Sequence, residues 1–219
     1  MIPYSAVFGG YDKPQRAPAG GVLFTDSMPP ESFGWGARVV TPPFPDNLAR
    51  SNRYYKLQPH QHFPEGARVL YFDARVNLLH SPEETLAGFQ DLAGGDHDVF
   101  LLTHTLNHDV EQEIAWVREK GITAPSVLDA QRERYARHEG LLKLPTCQAP
   151  IIIAKRNERT SEFFSVWWAE VRDYSHRDQI SYAYARWMTG VDARLIPYER
   201  ARPLFKLRPH AKPQLREVI

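Results

Sequence analysis

Short runs that are apolar at every position constrain this 219-residue chain more than any other feature. Val69-Leu-Tyr-Phe72, Val99-Phe-Leu-Leu102 and Pro150-Ile-Ile-Ile-Ala154 lack the apolar–polar alternation of a sheet with one wet face. Strands of that kind are covered on both sides, so helices must pack on both faces of their sheet. Tyr4–Phe8, Val22–Phe24 and Ala37–Val40 read as further strands.

Helical signals fall between them. Ser81-Pro-Glu-Glu84 combines a capping box with proline at the first helical position, which predicts a helix from Pro82 to about Gln90. A helix over Asp46–Leu57 has Asp46 as its N-cap. Val110–Lys120 follows Asp109 and stops at Gly121. Ser126-x-x-Asp129 opens a helix to about His138, closed by Gly140, and Thr160–Asp173 with Arg177–Met188 forms a helical pair. The alternation predicts an α/β fold: a doubly wound, mostly parallel central sheet flanked by helices, in a single domain over residues 1–199. Pro42-Pro43-Phe44-Pro45 is a rigid connector within it. Residues 200–219 hold Arg200, Arg202, Lys206, Arg208, His210, Lys212 and Arg216 without periodicity, which predicts a basic extension wrapping the domain.

A formal charge of +1 gives no global reason to bind nucleic acid or acidic membranes. The single cysteine, Cys147, forms no internal disulfide, suits a reducing compartment and has no evident histidine partner. The N-terminal residues lack the basic region of a signal peptide, and no run approaches the length of a membrane span, so the expectation is a cytoplasmic protein. The oligomeric state is not encoded in any recognisable pattern.

Open α/β sheets bind ligands at the carboxyl ends of their strands, and several residues stand at such ends. Gly9-Gly10-Tyr11-Asp12 follows the first strand; it is either a plain glycine turn or a loop that lets backbone approach a ligand while Tyr11 stacks on a base. Asp26 ends the second strand, as a turn residue or as an acceptor for a base or ribose. Arg50, Arg53 and Lys56, with His60, form either a solvated basic face or a grip on a diphosphate. Asp73 caps the buried run Val69–Phe72, where a carboxylate can hold a divalent cation between phosphates; the usual second Asp is missing, and Arg75 can supply positive charge directly.

His60-Gln61-His62 invites a zinc-hydrolase reading with His104 and Asp73, but the motif follows a helical pattern instead of ending a strand. His104 is better placed for a ligand than His108. Trp167 and Trp168 cannot face one way, which predicts one in the core and the other lining the site. The segment Gly140–Pro150 discloses no chemistry.

The ordered blocks Ala-Val-Phe-Gly-Gly-Tyr-Asp12, Phe-Thr-Asp26, Arg53-Tyr-Tyr-Lys-Leu-Gln-Pro-His-x-x-Phe-Pro64 and Tyr71-Phe-Asp-Ala-Arg-Val-x-Leu78 continue through Thr-His104-Thr, Glu111-x-Glu-Ile-Ala, Gly140-Leu, Trp167-Trp-x-Glu170 and Arg177-Asp-Gln-x-Ser181. Together they resemble a glycosyltransferase-like family of bacterial and plant domains in the GT-A (Rossmann-like) nucleotide-diphospho-sugar transferase superfamily. The resemblance implies a donor pocket from Gly10, Tyr11, Asp12, Asp26, Arg53, Lys56, Asp73 and Arg75. It puts His104, Glu113 and Trp168 on the acceptor side, and Asp178 with Gln179 at the transferring sugar. It also implies Mn²⁺ or Mg²⁺ at Asp73, with His210 as a late ligand near Lys212, although the departure from Asp-x-Asp leaves metal dependence open.

The expected reaction moves a sugar from a nucleotide-diphospho-sugar to a glycan or other hydroxyl acceptor. Arg53 and Lys56 would stabilise the leaving diphosphate. Asp178 would serve as the base if the reaction inverts, or orient the donor and shield the cation if it retains. Asp178→Asn is expected to abolish transfer while sparing folding. The rival expectations are a non-catalytic nucleotide- or sugar-binding module and the metal-dependent hydrolase.

Overall fold

In the computed structural model, residues 1–28 and 33–211 are described. The first strand, β1 (Ile2–Val7), lies at the middle of the sheet and is buried from Pro3 onward. Its parallel neighbours are β2 (Val22–Thr25) and, beyond α1 (Leu48–Leu57), β4 (Arg68–Phe72). An edge strand, β3 (Gly36–Val39), pairs with β2. After β4 come β5 (Val76–Leu78), α2 (Pro82–Ala93), β6 (Val99–Thr103), α3 (Val110–Glu119) and α4 (Pro125–Ala136). The long β7 (Cys147–Lys155) follows, then the helical pair α5 (Glu158–Asp173) and α6 (Asp178–Thr189). The last elements are β8 (Ala193–Ile196), the short α7 (Tyr198–Ala201) and β9 (Phe205–Leu207).

The main sheet runs β3-β2-β1-β4-β7-β6-β8. Only β7 is antiparallel to its neighbours, with Tyr71 opposite Ile152 on one side and Val99 opposite Ala154 on the other. The expected mostly parallel, helix-flanked α/β sheet is therefore present. Its uniformly apolar strands are explained by two cores, because successive side chains of a strand point to opposite faces. Tyr4, Ala6, Val69, Tyr71, Ile152 and Ala154 join the core under α1, α3, α5 and α6. Val7, Leu70, Phe72, Ile151 and Ile153 join the other, with Phe89 of α2 and Phe205 of β9.

Local signals set most helix starts. The Ser81 box forms in both directions with Glu84. Asp109 caps α3 by accepting from Gln112 N. Two expectations need correction. Asn47, not Asp46, caps α1, accepting from Arg50 N. The Ser126 box does not form: Pro125 occupies the first helical position, so Ala124 is the N-cap and Ser126 lies inside the first turn.

The tail is more structured than an extended wrap. After α7 and a 3-10 turn at Arg202–Leu204, β9 pairs antiparallel with β5. Arg75 and Arg208 reinforce that pairing: Arg208 N donates to Arg75 O at 3.1 Å, and Arg75 Nη1 donates to Arg208 O at 3.2 Å. Lys212 and Arg216 lie outside the described residues. Among the described residues, no helix is long and apolar enough to cross a membrane.

Candidate active site

The carboxyl ends of β1 and β4 open into a cleft of about 500 Å³. Its walls come from the loop after β1, the side of α1, the tip of β4, the loop after β6, the N-terminus of α6 and the C-terminal segment. Of the expected site residues, Tyr11, Asp12, Arg53, Lys56, Asp73, Arg75, His104, Asp178, Gln179 and His210 line it.

The loop after β1 is fixed from behind. Gly9 N donates to Asp26 Oδ2 at 2.8 Å, so Asp26 holds the loop and does not face the cleft. Gly9 has φ +63°, and a Cβ there would meet Leu48 Cδ1 at 2.6 Å, so this position takes glycine on backbone and packing grounds. Gly10 shares that turn and does not line the cleft.

Asp178 is the electrostatic centre. It opens α6, is 1% exposed, and its Oδ2 lies 2.5 Å from Lys56 Nζ and 4.0 Å from Arg53 Nε. Burial alone would raise its pKa. The charges of Lys56 and Arg53, the Lys56 hydrogen bond and Arg177 outweigh burial and bring it down to about 2. The Gln179 amide, oriented with its nitrogen towards Asp178, donates to Oδ1 at 2.7 Å, and its oxygen accepts from Arg177 Nη2 at 3.2 Å. Below, Trp167 Nε1 donates to the Asp178 carbonyl at 2.8 Å.

Glu113 is fully buried beneath the opposite wall. It accepts from Arg177 Nη2 at 3.1 Å and from Asn107 Nδ2 at 2.5 Å, with His104 Nε2 at 3.5 Å. His104 Nδ1 accepts from the backbone N–H groups of Leu106 and Asn107, which puts the ring proton on Nε2, towards Glu113. Burial depresses the His104 pKa, and Arg177 and His108 push the same way against Glu113, so the imidazole is neutral at pH 7. The ring braces the loop and has no free nitrogen for proton transfer. Arg177 lies over the Trp116 ring, 5.2 Å from its centroid.

Asp73 Oδ1 accepts from Tyr71 OH at 2.9 Å. Asp12 is taken by the tail: both its oxygens lie 3.1 Å from His210 Nδ1, and Oδ1 also accepts from Ala211 N. The His210 ring packs on Tyr11, with centroids 4.9 Å apart. This donor set does not fit a cation held by Asp73 and His210. Among the described residues, no three His, Cys, Asp or Glu side chains converge as ligands. Instead, Arg53, Arg75 and Arg177 line the cleft, and their Nε atoms are buried with no hydrogen-bond partner among the described residues.

Several expected residues lie elsewhere. Trp168 is 7% exposed and packs edge-on against Phe44 and Tyr54, so it belongs to the core between α1 and α5, as Trp167 does on its own side. Arg50 turns away, its Nη2 donating to Tyr174 O at 2.8 Å. His60 meets Ser165 Oγ at 3.2 Å, and His62 stacks on Tyr55, so neither joins His104 or Asp73. Burial holds the Cys147 thiol well above its ordinary pKa. Cleft residues that the sequence reading missed include Asn52, Trp116, Gln148, His176, Tyr198 and Glu199. Asn52 had a signal, since Leu48, Asn52 and Lys56 recur every fourth residue on one helix face.

Residues 35–209 match the family model described as TOD1/MUCI70, glycosyltransferase-like domain. Among solved structures, the bifunctional glycosyltransferase WbbM, in its apo form, is similar over 90% of this chain with a TM-score of 0.51 and 13% identity. At that identity the likeness concerns the fold, and the match takes in 38% of the WbbM chain, so this chain spans well under half of it. The galactosyltransferase LgtC, solved with donor and acceptor sugar analogues, aligns over 89% of this chain and 73% of its own at 14% identity, with a TM-score of 0.46. No curated protein matches the chain significantly.

Proposed function

The chain belongs to the TOD1/MUCI70 glycosyltransferase-like family, and on that premise we propose that its cleft binds a nucleotide-diphospho-sugar and transfers the sugar to a hydroxyl acceptor. The observation that carries this reading is the set of three guanidinium side chains, from Arg53, Arg75 and Arg177, that line one cleft. Guanidinium groups bind oxyanions through paired, charge-assisted hydrogen bonds, which suits an oxygen-rich anion such as a diphosphate.

The charges divide the labour. Lys56 pairs with Asp178 and Arg177 with Glu113, while Arg53 and Arg75 share the cleft with Asp12 and Asp73; in this scheme those two arginines meet the negative charge that builds on the leaving diphosphate. The α6 N-terminus adds positive potential at the same place. A carboxylate with a pKa of about 2 is a weak base, so Asp178 acts in this scheme as a fixed negative charge beside the oxocarbenium-like centre. In the bond-making step the anomeric carbon–phosphate oxygen bond breaks, the acceptor oxygen bonds that carbon, and the acceptor proton leaves to solvent or the departing phosphate.

The test is the melting temperature of the purified protein with UDP, GDP, dTDP and their hexose derivatives. A ligand that binds only the folded state raises it. A shift with one nucleotide family, together with consumption of its sugar derivative, supports the reading. Binding without consumption converts it to a non-catalytic nucleotide-sugar module, and no shift at millimolar concentration overturns it.

A further inference from the structure

Glu113 does not line the cleft, yet it is tied to the cleft's centre by an unbroken polar chain. Glu113 Oε1 accepts from Arg177 Nη2 at 3.1 Å, and that Nη2 also reaches the Gln179 oxygen at 3.2 Å. The Gln179 nitrogen donates to Asp178 Oδ1 at 2.7 Å, and Asp178 Oδ2 pairs with Lys56 at 2.5 Å. The chain crosses from α3 to α1 over the first turn of α6.

What each link fixes differs. Lys56 is a point charge on a flexible stem, so it fixes the place of one Asp178 oxygen but not the rotation of the carboxylate. A second anchor on Oδ1 fixes that rotation, and Gln179 supplies it. An amide can serve so only if its own flip state is set, which Arg177 does by donating to its oxygen. Arg177 in turn is held at Nη2 by Glu113 and in its plane by Trp116. Asn107 and His104 keep Glu113 from turning, so the far end of the chain is anchored in the loop after β6.

We propose that Glu113 is a positioning residue for Asp178, acting through Arg177 and Gln179. The role rests on the reading of Asp178 as the charge beside the transferring sugar. Glu113 touches no substrate. Losing it loosens the carboxylate and frees Arg177 but leaves Arg53 and Arg75 in place, so turnover suffers and donor binding persists.

The experiment uses the nucleotide sugar giving the largest melting shift, and follows its consumption by the wild type, Glu113→Gln, Arg177→Met and the double variant. Glu113→Gln is expected to keep the melting shift and to lose at least about tenfold in kcat with KM within about threefold. The double variant is expected to be no slower than Arg177→Met, because both cut one chain. A kcat for Glu113→Gln within about twofold of wild type, or losses that multiply in the double variant, overturns the role. If Glu113→Gln does not fold, Glu113→Asp keeps the charge beside Arg177 while shortening the link, and must show the same kcat-selective loss; a wild-type kcat there overturns the role. A wild type that consumes no nucleotide sugar overturns the glycosyltransferase reading and this role together.

Discussion

Lys56 Nζ and Asp178 Oδ2 lie 2.5 Å apart, with side chains only 4% and 1% exposed. A residue in the last turn of α1 and the first residue of α6 are thus joined as a buried ion pair in the wall of the cleft. Removing one partner leaves the other charge buried and uncompensated, which typically costs about 3–5 kcal/mol. Asp178→Asn is therefore expected to lower the urea midpoint as well as abolish turnover, instead of sparing the fold. Lys56→Met should do the same, while Lys56→Met with Asp178→Asn should be more stable than the sum of the single losses predicts. Strict additivity in urea titrations would contradict the pairing.

In the proposed scheme Arg53 and Arg75 are the cations that meet the diphosphate. Replacing either with alanine is expected to weaken nucleoside diphosphate binding about 10- to 100-fold, the range for losing a charge-assisted hydrogen bond. Isothermal titration calorimetry at two salt concentrations checks this, since the lost cation should also flatten the salt dependence. An unchanged Kd in both variants would remove them from the donor site.

The Asp73 region offers no converging set of metal ligands among the described residues. The melting shift produced by the best nucleoside diphosphate is accordingly expected to be the same in EDTA as in Mn²⁺. A shift that appears only with Mn²⁺ would show that the cation completes its shell with the ligand's own oxygens.

Trp168 separates a core role from an acceptor role. Trp168→Ala is expected to cost about 3–5 kcal/mol of stability, as large aromatic truncations in a core do. Nucleoside diphosphate affinity should stay within about twofold, because Trp168 packs on Phe44 and Tyr54 and does not line the cleft. Equilibrium unfolding and calorimetry on the same sample settle both halves.

His62 is pushed down to about 4 from 6.5 by burial, with Arg38 and His60 adding to it. The unfolded chain takes up that proton near pH 6.5 and the folded chain only near pH 4, so folding is increasingly opposed as pH falls through this window. His62→Phe, stacked on Tyr55 in its place, should lose less stability between pH 6.5 and 4 than the wild type. Asp178 acts in a lower window. Its folded pKa of about 2 lies below the unfolded value, so its stabilisation is full above about pH 4 and fades towards pH 2. Thermal melts across both ranges distinguish the two groups.

The sheet was legible because burial on both faces leaves no polar alternation, and Asp73 was legible as a carboxylate at the tip of such a strand. Arg53 and Lys56 were legible as a pair but Arg50 was not separable from them. Steps of three residues drift about 60° around a helix, enough to carry Arg50 round to the end of α5. The adjacent tryptophans misled for a related reason: α5 is covered by the sheet on one side and α1 on another, so side chains about 100° apart are both buried. No local pattern announced Glu113 as a hub: Asn107 and His104 lie in the loop just before α3, but Arg177 comes from a loop far along the chain. β9 was equally silent, because a three-residue strand gets its meaning from a partner far away in the chain.

That distance has a consequence for how the protein is made. Arg75 and Arg208, which lace the tip of β4 to the tail, are 133 residues apart. A ribosome adds about 5–20 residues per second, so for several seconds the nascent chain carries Asp12, Arg53 and Asp73 without the segment that closes over them. His210 reaches Asp12 only near the end of that interval. The cleft is thus closed only after the sheet that supports it has been made.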